Sequence, residues 1–272
     1  MTDGAGLRQA ARRIRAGILE LSHRGQSAHI GSCLSVADIL AAVYWGGLAI
    51  TPENIASPDR DRLLFGKGHA AAAILAALAE RGFFPREKLA DFNRDGGELQ
   101  EHPGPGWPAG VEIAAGSLGY APPLAAGLAL AARIQGRNFR VCAVMGDGEC
   151  EEGSVWEAAM FAGGKQLVNL AALIDANSWQ ATGRTAEITG LEPLGIKWEA
   201  FGWRARELDG HNPEEIRTAL AEFGRGDRPV ALIARTVKGK GVSFMEDDNN
   251  WHYRTLSDGD LAKALRELKD GT

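Results

Sequence analysis

A doubly wound α/β fold, with a mainly parallel sheet and helices on both faces, is predicted by three observations. Short apolar runs at Val141 to Met145 and Leu170 to Ile174 end in a glycine and in Asp175-Ala176-Asn177, as buried parallel strands do. Between them, Ser154 to Leu167 carries Val155, Ala158, Ala159, Phe161 and Ala162 at helical spacing. Ser154 stands at the N-cap position and Gly163-Gly164 lies near the end. Further on, Trp203 to Leu208 and Val230 to Thr236 read as two more strands around a helix from Pro213 to Phe223, which repeats the alternation of an α/β sheet.

The other elements follow the same rules. Residues 7 to 24 and 35 to 46 read as helices, and Ala70 to Arg81 as an alanine-rich helix able to pack closely on its neighbours. Gly96 to Gly110 is dense in Gly and Pro and reads as an irregular loop. Pro122-Pro123 suits the first turn of a helix that Leu124 to Ile134 continues. A long loop, Ser178 to Gly190, follows the second strand. No repeat or low-complexity linker interrupts the pattern, so residues 1–272 read as one domain.

Composition narrows the function. Lys plus Arg total 30 against Asp plus Glu 35, a formal charge of −5, which argues against nucleic acid as the main partner. A hydrophobic content of 45% is enough for a sizeable core. The apolar stretches Leu75 to Leu78 and Leu124 to Ala132 fall short of the roughly 20 residues that span a bilayer. Leu7 to Ile14 is amphipathic rather than the apolar core of a signal peptide. Cys33, Cys142 and Cys150 form an odd, unpatterned set that fits a reducing compartment. The expectation is a cytoplasmic protein with no nucleic-acid or membrane partner.

Chemistry concentrates at strand ends. A right-handed crossover between neighbouring parallel strands brings both carboxyl ends to one sheet edge, where open α/β proteins bind ligands. Asp147, within Gly146-Asp147-Gly148-Glu149, and Asn177, thirty positions on, then become neighbours. Glycines on both sides of Asp147 let the backbone approach a phosphate, and amides at a helix start can donate to it. Magnesium takes about six oxygens, usually a carboxylate or two plus phosphate and water, so this Asp and Asn leave room for a diphosphate. Calcium or manganese would use the same donors. A non-catalytic magnesium-phosphate module is the reading from a different class. Against a nucleotide site stands the lack of a Walker lysine motif and of Gly-x-Gly-x-x-Gly after an early strand.

Histidines supply the second signal. His23 reads as a surface helix residue, and His211, in Asp209-Gly210-His211-Asn212-Pro213, as part of a turn before a helix. His29, His69, His102 and His252 lie on loops, a placement suited to repeated proton transfer.

The Gly-Asp-Gly and its downstream Asn, with 28 residues between Gly148 and Asn177, resemble the thiamine diphosphate motif. The likeness covers nearly the whole chain and is to the N-terminal, diphosphate-binding half of transketolases, including those encoded as two polypeptides. Its carriers are Ala28-His29-Ile30-Gly31-Ser32-Cys33-Leu34-Ser35 with Ala37-Asp38-Ile39-Leu40, the run Asp61 to Ala70 with Gly66-Lys67-Gly68-His69-Ala70, Glu101-His102-Pro103, Gly116-Ser117-Leu118-Gly119, Gly146 to Gly163, Lys238-Gly239-Lys240-Gly241-Val242, and Trp251-His252. The resemblance implies a thiamine diphosphate-binding fold, thiamine diphosphate with Mg2+ as cofactors, and transfer of a two-carbon ketol unit from a ketose phosphate to an aldose phosphate.

It also implies roles. His69 and His252 would contact the diphosphate, with Gly116, Gly146, Gly148 and Glu149 around the cofactor and Leu118 against its rings. His29, His102 and His252 would serve catalysis, His29 and His102 at substrate hydroxyl and carbonyl oxygens. Asp147, Asn177 and the Trp179 carbonyl would hold the metal, Glu152 would lie at a subunit interface, and Lys240 near the phosphates. The family's activating glutamate belongs to a pyrimidine-binding domain that has no place before Thr272. The expectation is therefore half an enzyme, needing a C-terminal transketolase subunit in an assembly of two copies of each. Two departures stand out. Gly119-Tyr120-Ala121 replaces the family's Gly-Gln-Gly, and His102-Pro103-Gly104 replaces His-Pro-Glu. A bulky Tyr120 is expected to narrow the pocket, which leaves open a different ketose or an α-ketoacid in a specialised pathway.

Overall fold

Five strands make one sheet in which every paired neighbour runs parallel, so the expected mainly parallel sheet is wholly parallel among the described residues. The structure is a computed structural model that describes residues 3–102, 104 and 108–270. The strands are β1 (Arg62–Phe65), β2 (Val141–Gly146), β3 (Leu170–Ala176), β4 (Arg204–Asp209) and β5 (Val230–Arg235), in the order β1-β2-β3-β5-β4. Gly146 pairs in register with Asp175 and Ala176 with Arg235, which aligns the carboxyl ends of the three central strands.

Strand side chains alternate between two cores, as the pleat requires. Leu63, Cys142, Val144, Leu173 and Leu232 enter one core with residues of α1 (Gly4–Arg24), α2 (Ile30–Ser35), α3 (Ala37–Ala42), α4 (Ala71–Arg81) and α9 (Pro213–Glu222). Leu64, Ala143, Met145, Ala172 and Ile233 enter the other with residues of α5 (Ala121–Ile134), α6 (Gly153–Gly164) and α8 (Leu194–Ala200). The fold is doubly wound. In α1, Leu7, Ile14, Ile18 and Leu21 are buried, each worth roughly 1.5–3 kcal/mol of transfer free energy. The helix opens on Asp3, whose carboxylate accepts from the Gly6 amide at 2.8 Å.

Several boundaries differ from those expected. The helix read at 35 to 46 is instead α2, α3 and a π-turn over Val43–Gly47, because Trp45 and Gly46 leave helical geometry, Gly46 with φ +121°. Ser154 does not cap α6. Glu152 takes the N-cap position without a side-chain bond, and the Ser154 hydroxyl donates to the Gly119 carbonyl at 2.9 Å. The loop after β3 carries a short helix, α7 (Thr185–Ile188), and a Trp179–Arg184 bridge. Local patterning does not disclose β1, α8 or α10 (Asp258–Asp270): a four-residue strand is too short to show a period, and α10 is charged along most of its length. Ile30–Gly47 is the one helical stretch among the described residues long and apolar enough to cross a membrane, and most of it is buried inside the fold.

Candidate active site

Four elements deliver the site from below. Beyond the carboxyl ends of β1, β2, β3 and β5 stand Lys67, Asp147, Asn177 and Lys238, all buried. All nine residues expected at the cofactor, His69, Gly116, Leu118, Gly146, Asp147, Gly148, Glu149, Asn177 and His252, line a single cavity of about 280 Å³, together with Trp179.

Asp147 is 5% exposed, and its hydrogen bonds come from neutral donors. Oδ1 accepts from the Gly148 amide at 3.0 Å, and Oδ2 from the Ser178 amide at 2.7 Å and the Thr185 hydroxyl at 3.2 Å. No Lys or Arg reaches it in a salt bridge among the described residues. Burial, and after it the charge of Asp175, pushes its carboxyl up to about 6. A buried carboxylate with no basic partner fits a divalent cation. Asn177 is oriented to join it: Nδ2 donates to Asp175 Oδ2 at 3.4 Å, and Oδ1 accepts from the Trp179 amide at 3.1 Å. The donor set is therefore oxygen-rich, as magnesium prefers.

Beneath these residues lies an ion pair. Lys67 Nζ donates to Asp175, to the Ser32 carbonyl at 2.9 Å and to Ser35 Oγ at 3.4 Å. Asp175 also accepts from Ser35 at 2.6 Å and from Thr236. Lys238 has no such counter-ion. Its ammonium meets Asn249 Oδ1 at 2.7 Å and His252 Nδ1 at 3.1 Å. An ammonium can only donate, so His252 carries its proton on Nε2.

Three imidazoles cluster here, His69 and His252 on the cavity wall and His29 against them. His29 lies 4.8 Å from His252 and 5.6 Å from His69 between ring centroids, and His69 lies 5.8 Å from His252. Burial depresses all three, that of His252 to about 3, with Lys238 next in effect, and that of His69 well below its ordinary value. They are neutral near pH 7 and act as hydrogen-bond donors and acceptors rather than as cations. His29 itself holds a left-handed backbone, φ +65°, at a local cost of about 1–3 kcal/mol, and its ring packs on His69 and His252.

A family described as transketolase, thiamine diphosphate binding domain, matches residues 7–269. The chain belongs to this transketolase family. Its sequence is 42% identical over 242 residues to the 6-deoxy-6-sulfo-D-fructose transketolase subunit SqwG of Clostridium sp. (strain MSTE9), covering 89% of this chain and 88% of that one. It is 36% identical over 265 residues to an apulose-4-phosphate transketolase subunit of Actinobacillus succinogenes, covering 97% and 96%. The structure is similar to a transketolase from Leishmania mexicana with a TM-score of 0.88 at 27% identity, and covers 97% of this chain but 41% of that one. The chain likewise spans 42% of the human transketolase it matches at 33% identity.

His29 does not itself line the cavity and packs behind His69 and His252, which do, whereas His102 is exposed and packs beside Gly116. Pro103 lies outside the described residues. Tyr120 is 59% exposed and turned away from the cavity wall, so it does not narrow the pocket within this chain. Lys240 pairs with Glu246 at 3.2 Å instead of entering the cavity. The acidic run Glu149 to Glu152 is not uniformly solvated: Glu149 is buried, accepts from the Gly119 amide at 3.0 Å, and is pushed up to about 7 by desolvation, while Glu152 is exposed. His23 contacts Asp258 at 2.8 Å. His211 is more than a turn residue. Its Nε2 accepts from the Val237 amide at 2.8 Å, so Nδ1 carries the proton and donates to Asp38 at 2.9 Å.

Sequence reasoning leaves Ser32, Lys67, Gln180, Ala181 and Lys238 without roles in the site. A lysine between two glycines directly after an apolar run, as in Phe65-Gly66-Lys67-Gly68, is the available signal for Lys67. The charge on Lys238 makes a testable demand. Desolvation, and after it the field of Lys67, lowers it to about 8 from its ordinary 10.5. Below pH 8 the lysine is charged in both states, and the folded state bears the full cost of burying it. Between about 8 and 10.5 the folded state has released the proton and the unfolded state has not, so stability rises with pH there. Lys238→Met should thus be more stable than the parent at pH 7 by on the order of 3 kcal/mol. That advantage should vanish by pH 10.5 in urea unfolding, and a pH-independent difference would refute it.

Proposed function

We propose that this chain is the diphosphate-binding, N-terminal subunit of a transketolase, a transferase that moves a two-carbon ketol group from a ketose phosphate to an aldose phosphate. The observation that carries this reading is the uncompensated Asp147 beside the oriented Asn177, at the floor of a cavity walled by neutral histidines. Asp147, Asn177 and the Trp179 carbonyl would hold Mg2+, or Ca2+ or Mn2+ in its place. Gly146 and Gly148 let the backbone come close to the diphosphate, His69 and His252 offer ring N–H groups to it, and Lys67 and Lys238 lend positive potential from beneath. Leu118 supplies an apolar contact for the cofactor rings, and Gly116 lets them pack against the loop.

Thiamine diphosphate, when bound, supplies carbanion stabilisation that no side chain offers. The protein's part is to orient and to exclude water. His29 and His102 would hold substrate hydroxyl and carbonyl oxygens, and His252 Nε2 would hold or pass a proton.

The half-enzyme reading is supported by relatives named as subunits, which this chain matches over about nine-tenths of their length. A pyrimidine-domain chain would complete each site and grip the sugar phosphate, in an assembly of two copies of each, acting in carbohydrate metabolism in the cytoplasm. The chain with thiamine diphosphate and magnesium alone is expected to show no ketol transfer, and to gain it when a pyrimidine-domain transketolase subunit is added. Robust turnover by the chain alone would overturn the half-enzyme reading. A different ketose stays in view because the relatives are named for 6-deoxy-6-sulfo-D-fructose and apulose 4-phosphate. A donor panel on the same complex decides between them.

A further inference from the structure

The loop after β3 is fastened on two opposite sides. At its base the Ser178 amide and the Thr185 hydroxyl both donate to Asp147 Oδ2, at 2.7 and 3.2 Å. On its outer side a second aspartate, Asp247, gathers the same loop. Its Oδ1 accepts from the Trp179 indole Nε1 at 2.8 Å and from Arg184 at 2.7 Å, and its Oδ2 accepts from Arg184 at 2.6 Å. The Arg184 guanidinium in turn lies 3.7 Å from the centre of the Trp179 ring. Asp247 is itself tied to the site, because its amide donates to the Lys238 carbonyl at 2.8 Å. Asn249 and Tyr253 donate to the Ala181 carbonyl, each at 2.9 Å, so the Trp179 indole N–H depends on Asp247 alone.

Backbone strain and an unused carbonyl mark what this clasp does. Ser178 and Asp247 both hold left-handed backbone, φ +66° and +59°, which persists in such residues only where the surroundings impose it. In the Trp179–Arg184 bridge the Thr185 amide donates to the Ser178 carbonyl at 3.1 Å and the Gln180 amide to the Gly183 carbonyl at 2.9 Å. The Trp179 amide donates to Asn177 Oδ1, and no described donor reaches the Trp179 carbonyl. That residue lines the cavity beside Asp147 and Asn177. Asp247 is 54% exposed, and so open an ion pair adds little to stability, whereas a two-point grip on a stacked ring fixes its direction.

We propose that Asp247 is a positioning residue for the cation: by clasping the Trp179 indole and Arg184, it sets where the Trp179 carbonyl stands relative to Asp147 and Asn177. The inference rests on the metal-diphosphate reading above. Asp247 does not line the cavity and acts through Trp179. Magnesium demands near-ideal octahedral geometry and calcium accepts a flexible one, so a loosened carbonyl should penalise magnesium more.

Asp247→Asn tests this, since Asn also tolerates left-handed backbone and keeps the shape while removing the charge that grips Arg184. In calorimetry of the full chain, thiamine diphosphate should bind about tenfold more weakly with magnesium, as when a group that orients a metal ligand is lost. The loss should be smaller with calcium and absent without metal. Thermal unfolding of the ligand-free variant should stay close to the parent's. Arg184→Met opens the same clasp from its other side and should reproduce the pattern, with the double variant no weaker than either single one. It also decides the matter where Asp247→Asn unfolds early. Equal losses with and without metal would make the role merely structural and overturn the proposal, as would parent-like magnesium-dependent affinity in both variants. A parent that shows no magnesium-dependent binding at all would instead refute the metal-diphosphate reading, and the role of the clasp with it.

Discussion

Asp147→Asn is expected to abolish magnesium-dependent binding of thiamine diphosphate and, at the same time, to stabilise the ligand-free chain. The two effects share one cause. Asp147 is buried with neutral donors only, and its carboxyl is pushed up to about 6 from an ordinary 3.8, first by desolvation and then by Asp175. The folded state therefore holds a proton that the unfolded state has lost between about pH 3.8 and 6, so stability falls as pH rises through that window. At pH 7 the ionised group costs the folded chain on the order of 3 kcal/mol, which an uncharged Asn relieves. A bound cation would reverse the balance, because the carboxylate that is a burden alone becomes a ligand. Removal of a metal ligand should cost at least about 100-fold in affinity, beyond the 10–100-fold typical of the groups that merely orient ligands. Calorimetry with and without magnesium, alongside thermal unfolding at pH 4 and pH 7, reads both. A variant that binds the cofactor as the parent does, or that gains no stability at pH 7, would falsify this account of the site.

What the sequence discloses and what it hides divide along physical lines. The three central strands and the helices after Pro122 and Pro213 are carried by local signals: apolar runs, helical spacing and proline at a first turn. The cofactor residues are legible because glycines bracket them and because crossover topology alone puts Asp147 and Asn177 on one edge. The buried polar layer is not. Lys67, Asp175, Ser35 and Thr236 come from four segments, as far as 140 positions apart in the Ser35–Asp175 bond, and no period or spacing joins them. His211 misleads for the same reason. Its neighbours in the chain describe a turn, whereas its partners, Asp38 and Val237, lie on other elements. Ser154 fails as a cap because tertiary contact wins: its hydroxyl finds Gly119, a residue of the cavity loop.

Lys67→Met should be the most destabilising single change at the site. The pair it breaks is among the most buried in the fold, with side chains 1% and 0% exposed. Desolvation alone would raise the Asp175 carboxyl, yet the charge and hydrogen bond of Lys67, with those of Ser35 and Thr236, hold it below its ordinary value. Without the lysine, Asp175 is an uncompensated interior charge, and loss of about 3–5 kcal/mol follows. Because that carboxyl is depressed in the folded state, the stability it confers is present above its unfolded value and lost as acid protonates it. The parent should therefore lose stability below about pH 4, and Lys67→Met should lose much less there. Replacing both members, Lys67→Met with Asp175→Leu, removes the stranded charge and should restore most of the stability, as buried pairs exchanged for apolar groups commonly do. It should not restore cofactor binding. Asp175 also accepts from the Asn177 Nδ2, and with that acceptor gone only the Trp179 amide still holds the Asn177 side chain. A double variant that folds like the parent yet binds thiamine diphosphate weakly even with magnesium would show that this pair serves the cofactor site, through the Asn177 contact and the Lys67 charge, as well as stability. Full binding by the double variant would assign it to stability alone.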